Sequence, residues 1–113
     1  MAKIINIPSA FVYESKVVGV SHSNPDGTSR QTIIKNEVAE DDALFLELEP
    51  DNEFDPNAIK VLSKNKNQIG YLKSDLAEKV KPALINQTTI YCKALWVNGD
   101  KMLGVGIRIE LVS

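Results

Sequence analysis

The sequence predicts a mostly β, α+β fold: six strands closing into a small β-barrel, with two short helical segments. Three observations carry this expectation. Leu44, Leu46 and Leu48 alternate with Phe45, Glu47 and Glu49, the period-2 signature of a half-buried strand. Asn98-Gly99 stands between the strand-like runs "TTIYCKALWV" and "KMLGVGIRIELV", a strong hairpin signal. Strands joined by short turns in a chain of 113 residues expose edges, and closure into a barrel removes them.

After a loose start, Phe11 to Val20 is rich in β-branched and aromatic residues and reads as the first strand. "SNPDGTSR" follows as a loop, marked by Asn-Pro and Asp-Gly. Thr28 or Ser29 then caps a short helix with Ile33, Ile34 and Val38 as its apolar residues. The alternating run ends at Pro50, and Ala58 to Leu62 forms the next strand. "SKNKN" is a hairpin-like loop before the short strand Gln68 to Leu72. Ser74 is read as the N-cap of the second helix, with Asp75 and Glu78 suiting the positive end of its dipole. Leu76, Ala77, Val80, Ala83 and Leu84 recur at helical spacing. Pro82 removes a hydrogen bond and crowds the preceding turn, so the helix either stops near Val80 or restarts at Pro82. The hairpin completes the chain, which is read as a single domain over residues 1–113.

The composition is 43% hydrophobic and 25% charged, enough apolar surface to offset the ordering entropy of a folded chain. A net charge of −2 and a pI near 5.4 leave no broad Lys/Arg surface for coating duplex DNA. A small site holding two or three cations remains compatible with that balance. Cys92 is the sole cysteine, so no internal disulfide and no cysteine-based zinc site is expected, and it reads as a small buried hydrophobe. The N-terminal stretch lacks a signal-peptide pattern, and no run of about twenty apolar residues occurs. A cytoplasmic protein without membrane contact is the expectation.

Catalysis finds little support. His22 is the only histidine, and Ser21 and Ser23 beside it point to opposite faces of a strand from it. No nucleophile elbow, phosphate-cradling glycine loop or zinc-protease motif is present. The chain is therefore expected not to be an enzyme and to need no cofactor.

The informative stretch is "EPDNEFDPNAIKV", Glu49 to Val61. Its carboxylates Asp51, Glu53 and Asp55 suggest a metal loop, but Pro56 stands where an EF-hand loop needs glycine. A structural turn explains the polar residues, with Asp and Asn side chains on backbone amides. Phe54 is left over. It folds back on the core, staples the turn, or stands out as a flat platform for an unstacked base.

Three blocks, "VVGVSHSNPDGTSRQTIIKN", "LELEPDNEFDPNAIKVL" and "NQIGYLKSDLAEKV", strongly resemble the HIRAN domain, above all its free-standing bacterial or phage form. The resemblance covers Val17 to Val80 in detail and the C-terminal hairpin in outline. It implies an OB-like barrel with added helices that captures the 3′ end of single-stranded DNA, as this domain does in fork-remodelling translocases of eukaryotes. Two aromatic side chains then sandwich the terminal base, and an aspartate accepts a hydrogen bond from the free 3′-hydroxyl. By resemblance Phe54 is the central aromatic, Asp55 the hydroxyl-binding carboxylate and Asn52 a residue of the same loop. His22 takes the second stacking position, Tyr71 stands where a histidine lies near the pocket, and Lys73 begins a basic pair.

Two departures weaken the cationic part of that site. Ser21 replaces an arginine and Ser74 the second lysine of the pair, and Arg30 and Lys35 are the candidates to replace them. The expected function is capture of a single-stranded DNA 3′ end in DNA repair or replication-fork processing, with a helicase, nuclease or other repair protein as the partner class. The alternative is a protein-interaction or adaptor module on the same fold, and a weaker one is a binder of a nucleotide or other planar ligand. The charge around Phe54 discriminates: a positive rim from Arg30, Lys35 and Lys73 favours DNA, an acidic rim the adaptor.

Overall fold

Apolar residues at alternate positions give each strand one face to bury, and the computed structural model, which describes residues 10–112, forms two sheets from such strands. The elements in chain order are β1 (Ala10–Lys16), α1 (Arg30–Glu37), β2 (Phe45–Leu48), β3 (Ile59–Leu62), β4 (Gln68–Tyr71), α2 (Ser74–Ile85), β5 (Thr89–Asn98) and β6 (Gly104–Val112). The loose start read before Phe11 lies, up to Ser9, outside the described residues.

The expected closed six-stranded barrel is not what forms. One antiparallel sheet has the order β1-β6-β5 and the other β2-β3-β4. Single bridges stitch them on both sides, Ala43 with Lys93 and Val18 with Tyr71. The reason lies at two bends. Val18 exchanges both backbone bonds with Tyr71 at 2.9 Å, but Gly19 then turns away with φ +73°. On the other side Leu44 donates to the Cys92 carbonyl and Ala94 to that of Asp42, and β2 then leaves β5 to pair with β3.

The core lies between the sheets and under the helices. Ile34, Ile59, Ile69, Ile107 and Ile109 are fully buried there, each contributing about 1.5–3 kcal/mol of transfer free energy. β6, paired on both sides, presents Val105, Ile107, Ile109 and Leu111 to this core. Helix α1 packs on β4 through Ile33 and Ile34, and α2 lies against β2 and β5 with Leu76, Ala77 and Val80 inward. Cys92 is buried, and burial pushes its thiol up to about 12.

Four local expectations are corrected. The first strand ends at Lys16 rather than Val20, because Gly19 turns the chain. Lys73, not Ser74, is the N-cap of α2: its carbonyl accepts the first helical bond, from Ala77 N. Pro82 neither ends nor restarts α2 but sits inside its last turns; Pro82 and Glu78 are exposed, so the carbonyl left without a donor stays open to water. In the final hairpin Asn98 pairs with Gly104, so the connection is the longer loop Gly99 to Leu103 and the last strand starts at Gly104, not Lys101. Of the two caps considered for α1, Ser29 serves, its Oγ accepting from Thr32 N.

Candidate functional site

The turn between β2 and β3 is held by side chains bonded to its own backbone. Asn52 Oδ1 accepts from Phe54 N and Asp55 N, both at 2.9 Å. Asp55 Oδ1 accepts from Asn57 N at 2.9 Å, and Ala58 N donates to the Asp55 carbonyl at 3.0 Å. These Asx-type bonds fix the chain without any help from Phe54. Its ring is 88% exposed, so it neither reaches the core nor serves as a buried staple. Among the described residues no cluster of carboxylates, histidine and cysteine is placed to hold a metal ion.

Glu49 joins this turn to the neighbouring strands. Its Oε1 accepts from Asn52 Nδ2 at 2.7 Å and from the Tyr71 hydroxyl at 2.8 Å, and its Oε2 lies 3.3 Å from Lys60 Nζ. Partial burial pushes the Glu49 carboxyl upward, but the bonds from Asn52, Tyr71 and Lys60 outweigh it and hold the group below the usual carboxylate range. One ionised carboxylate thus fixes both the Phe54 turn and the Tyr71 ring.

Across from the turn stands Arg30. It is only 5% exposed; its Nε donates to Asn24 Oδ1 at 2.7 Å and its Nη1 to the Gly19 carbonyl at 2.9 Å. Its guanidinium carbon lies 5.3 Å from the centre of the Tyr71 ring, a cation–π contact. Among the described residues it pairs with no carboxylate, so its charge is balanced by neutral dipoles and a π face. Such a guanidinium retains attraction for an anion in the space beside it.

That space is an open groove of about 570 Å³. Arg30, Tyr71 and His22 form one side, and Asn52 and Phe54 the other, with Glu49 between. His22 N donates to the Gly19 carbonyl at 3.2 Å, which sets the imidazole at the exposed mouth. Asp51 and Glu53 line the outer lip on the Phe54 side, exposed and without ion pairs among the described residues. The rim is therefore mixed, cationic near Arg30 and acidic beyond Phe54.

The fold thus brings together His22, Arg30, Asn52, Phe54 and Tyr71. Asp55 is half-buried at the base of the turn, beside the groove rather than in its wall. Lys73, exposed at the start of α2, and Lys35, exposed in the last turn of α1, do not line it. Two contributors were not assigned from sequence. Glu49 lies inside the conspicuous motif, and its spacing three residues before Asn52 is the signal that could have marked it. Lys81 of α2 donates to Asn57 Oδ1 at 2.9 Å and to the Pro56 carbonyl at 3.3 Å, tying the turn to the helix. Nothing in the local sequence points to that long-range contact.

A second hollow of about 420 Å³ lies where β2 and β5 part, beside Phe45, Ile90 and Tyr91. Its charged residues are paired with one another or their neighbours, Lys93 with Asp41 and Arg108 with Glu110 and Glu14. Free polar groups converge only weakly there, so the Arg30 groove is the better site.

Comparison with known proteins finds the same fold. The family model described as the HIRAN domain matches residues 11–113. The helicase-like transcription factor of rabbit (Oryctolagus cuniculus) is 50% identical over 40 residues, 35% of this chain and 4% of that protein, so the match spans a small part of the relative. Among solved structures, the crystal structure of the HIRAN domain of human HLTF is similar with a TM-score of 0.71 at 22% identity, over 90% of this chain and 75% of that one. A crystal structure of a Lactobacillus plantarum protein gives 0.65 at 19% identity, over 91% of this chain and 97% of that one.

Proposed function

The chain belongs to the HIRAN domain family, and from that membership we propose that it is a binding module, not an enzyme, which captures the 3′-hydroxyl end of single-stranded DNA by base stacking. The observation that carries this reading is Phe54, an exposed ring on a turn made rigid by Asn52 and Glu49, facing a groove walled by Tyr71, His22 and Arg30. The terminal base stacks on Phe54, with the His22 imidazole as the opposite face. Asp55, whose Oδ2 makes no hydrogen bond among the described residues, accepts from the 3′-hydroxyl. Arg30 attracts the nearest phosphate. Stacking contributes about 1–3 kcal/mol per base, so one sandwiched base and few cations suit micromolar or weaker affinity. Specificity is for an end rather than a sequence, which suits a role in DNA repair or replication-fork processing beside a helicase, nuclease or other repair protein.

The test is fluorescence anisotropy with short single strands ending in 3′-hydroxyl or 3′-phosphate, on the wild type, Asp55→Ala and Phe54→Ala. The hydroxyl strand is expected to bind, the phosphate strand to bind at least about tenfold more weakly, and either substitution to lose a similar factor. Equal binding of the two ends would remove end recognition.

Asp51 and Glu53 on the outer lip favour a second reading, a protein-interaction or adaptor module that keeps the fold and turn without DNA affinity. Failure of both strands to bind at low salt would decide for it.

A further inference from the structure

The sole tryptophan, Trp96 on β5, has an environment that packing alone leaves half explained. It pairs with Gly106 of β6, which in turn pairs with Lys16 of β1, so Trp96 and Lys16 project from the outer face of that sheet on either side of the glycine. The indole lies directly on the glycine strand: a Cβ on Gly106 would fall 2.2 Å from its Cε2 and Nε1, and one on Gly104 3.5 Å from its Cζ3. One face of the ring is therefore spent on backbone, while the side chain remains 36% exposed. Beside it lies Lys16, whose Cε and Nζ would stand 3.1 and 3.6 Å from that same Gly104 Cβ. Lys16 is exposed and forms no ion pair among the described residues. A flat ring with an ammonium at its edge is thus presented to solvent.

This platform is continuous with the groove. From Lys16 the chain runs outward–inward–outward, with Val17 buried and Val18 exposed, and Val18 bridges to Tyr71. Side chains of bridged antiparallel residues share a face, so Trp96, Lys16, Val18 and Tyr71 lie along one outer surface. Two strand spacings and a step of two residues put the indole on the order of 15 Å from the groove. The opposite exit, past Asp51 and Glu53, is acidic and repels a phosphodiester backbone.

We propose that the outer face formed by Trp96 and Lys16 is a second contact for the same single strand, taking a base upstream of the captured end on the indole and its phosphate on the ammonium. This rests on the end-capture reading and adds to it a direction: the strand leaves the groove across Val18 and not across Asp51. The ligand is then a strand of several nucleotides rather than a terminal nucleotide alone.

Because Trp96 is the sole tryptophan, its fluorescence reports the contact directly. The experiment compares a 3′-hydroxyl dinucleotide with an oligonucleotide of about eight residues, long enough to reach from the groove to Trp96, on wild type, Lys16→Ala and Trp96→Phe. Calorimetry follows binding in parallel. Both strands are expected to bind, only the longer one quenching Trp96 and binding about tenfold more tightly. Lys16→Ala is expected to weaken the longer strand alone and to reduce its salt slope by about 0.7. Trp96→Phe should keep the fold, by circular dichroism, while losing part of the length advantage. If both strands bind with equal affinity and the indole signal stays constant, this inference fails and end capture stands. If neither strand binds, both readings fail together.

Discussion

Phe54 is exposed because its neighbours do the structural work of the turn. Asn52 satisfies two successive amides with one oxygen and donates an amide hydrogen to Glu49, so the backbone is fixed from beneath the ring. Removing that oxygen leaves two donors to water and frees the ring to wander. Asn52→Ala is expected to lower stability by about 1 kcal/mol and to speed hydrogen exchange at the Phe54 and Asp55 amides by at least about tenfold; unchanged exchange would assign the rigidity to Pro56 instead. Arg30 shows the reverse case, a charged side chain held by neutral partners: its bonds to Asn24 and Gly19 orient it, and the Tyr71 ring shields one face.

At the level of elements, the groove depends on where the segment following β1 meets β4. Gly70 of β4 allows the close approach, since a Cβ there would lie 2.4 Å from the Val18 carbonyl oxygen and 2.6 Å from Val17 Cγ1. The backbone oxygen cannot move without breaking the Val18–Tyr71 bridge. Gly70→Ala is expected to destabilise the fold by about 1–3 kcal/mol and to displace Tyr71, weakening end binding as well; a urea midpoint equal to wild type would show that the bridge yields without strain. The loop Ser63 to Asn67 is held by another element altogether, as Glu37 of α1 accepts from Ser63 Oγ, Asn65 Nδ2 and Asn67 Nδ2.

For the molecule as a whole, two carboxylates tie separate parts together, Glu37 between α1 and the β3–β4 loop and Glu49 between the Phe54 turn and β4. The bonds from Asn67 and Ser63 hold Glu37 below its ordinary value of 4.5, and Glu49 is depressed likewise. A depressed carboxyl contributes stability that is present above its unfolded value and is lost as pH falls through the folded one. The urea midpoint is therefore expected to be level from about pH 7 to 5 and to drop below about pH 4.5. Glu37→Gln should lower the plateau and flatten the drop; an equal drop in that variant would place the acid sensitivity elsewhere.

What the sequence determined by itself was the local chemistry. Alternation placed the strands, helical spacing marked the buried face of α2, Thr28 and Ser29 bounded the start of α1, and the Asn and Asp of "EPDNEFDPNAIKV" made a turn whose polar bonds leave its phenylalanine unused. These follow from bonds between residues near in sequence, which the order of side chains encodes directly. Only the tertiary structure decided that the strands divide into two stitched sheets, that α2 runs on through Pro82, and that Arg30 turns inward while Lys35 and Lys73 stay clear of the groove. It also laid Trp96 on Gly106 and bound the Phe54 turn to Lys81. Those outcomes depend on which distant backbones approach closely and which buried groups find partners, and such a balance of packing and desolvation exists only once the whole chain has closed on itself.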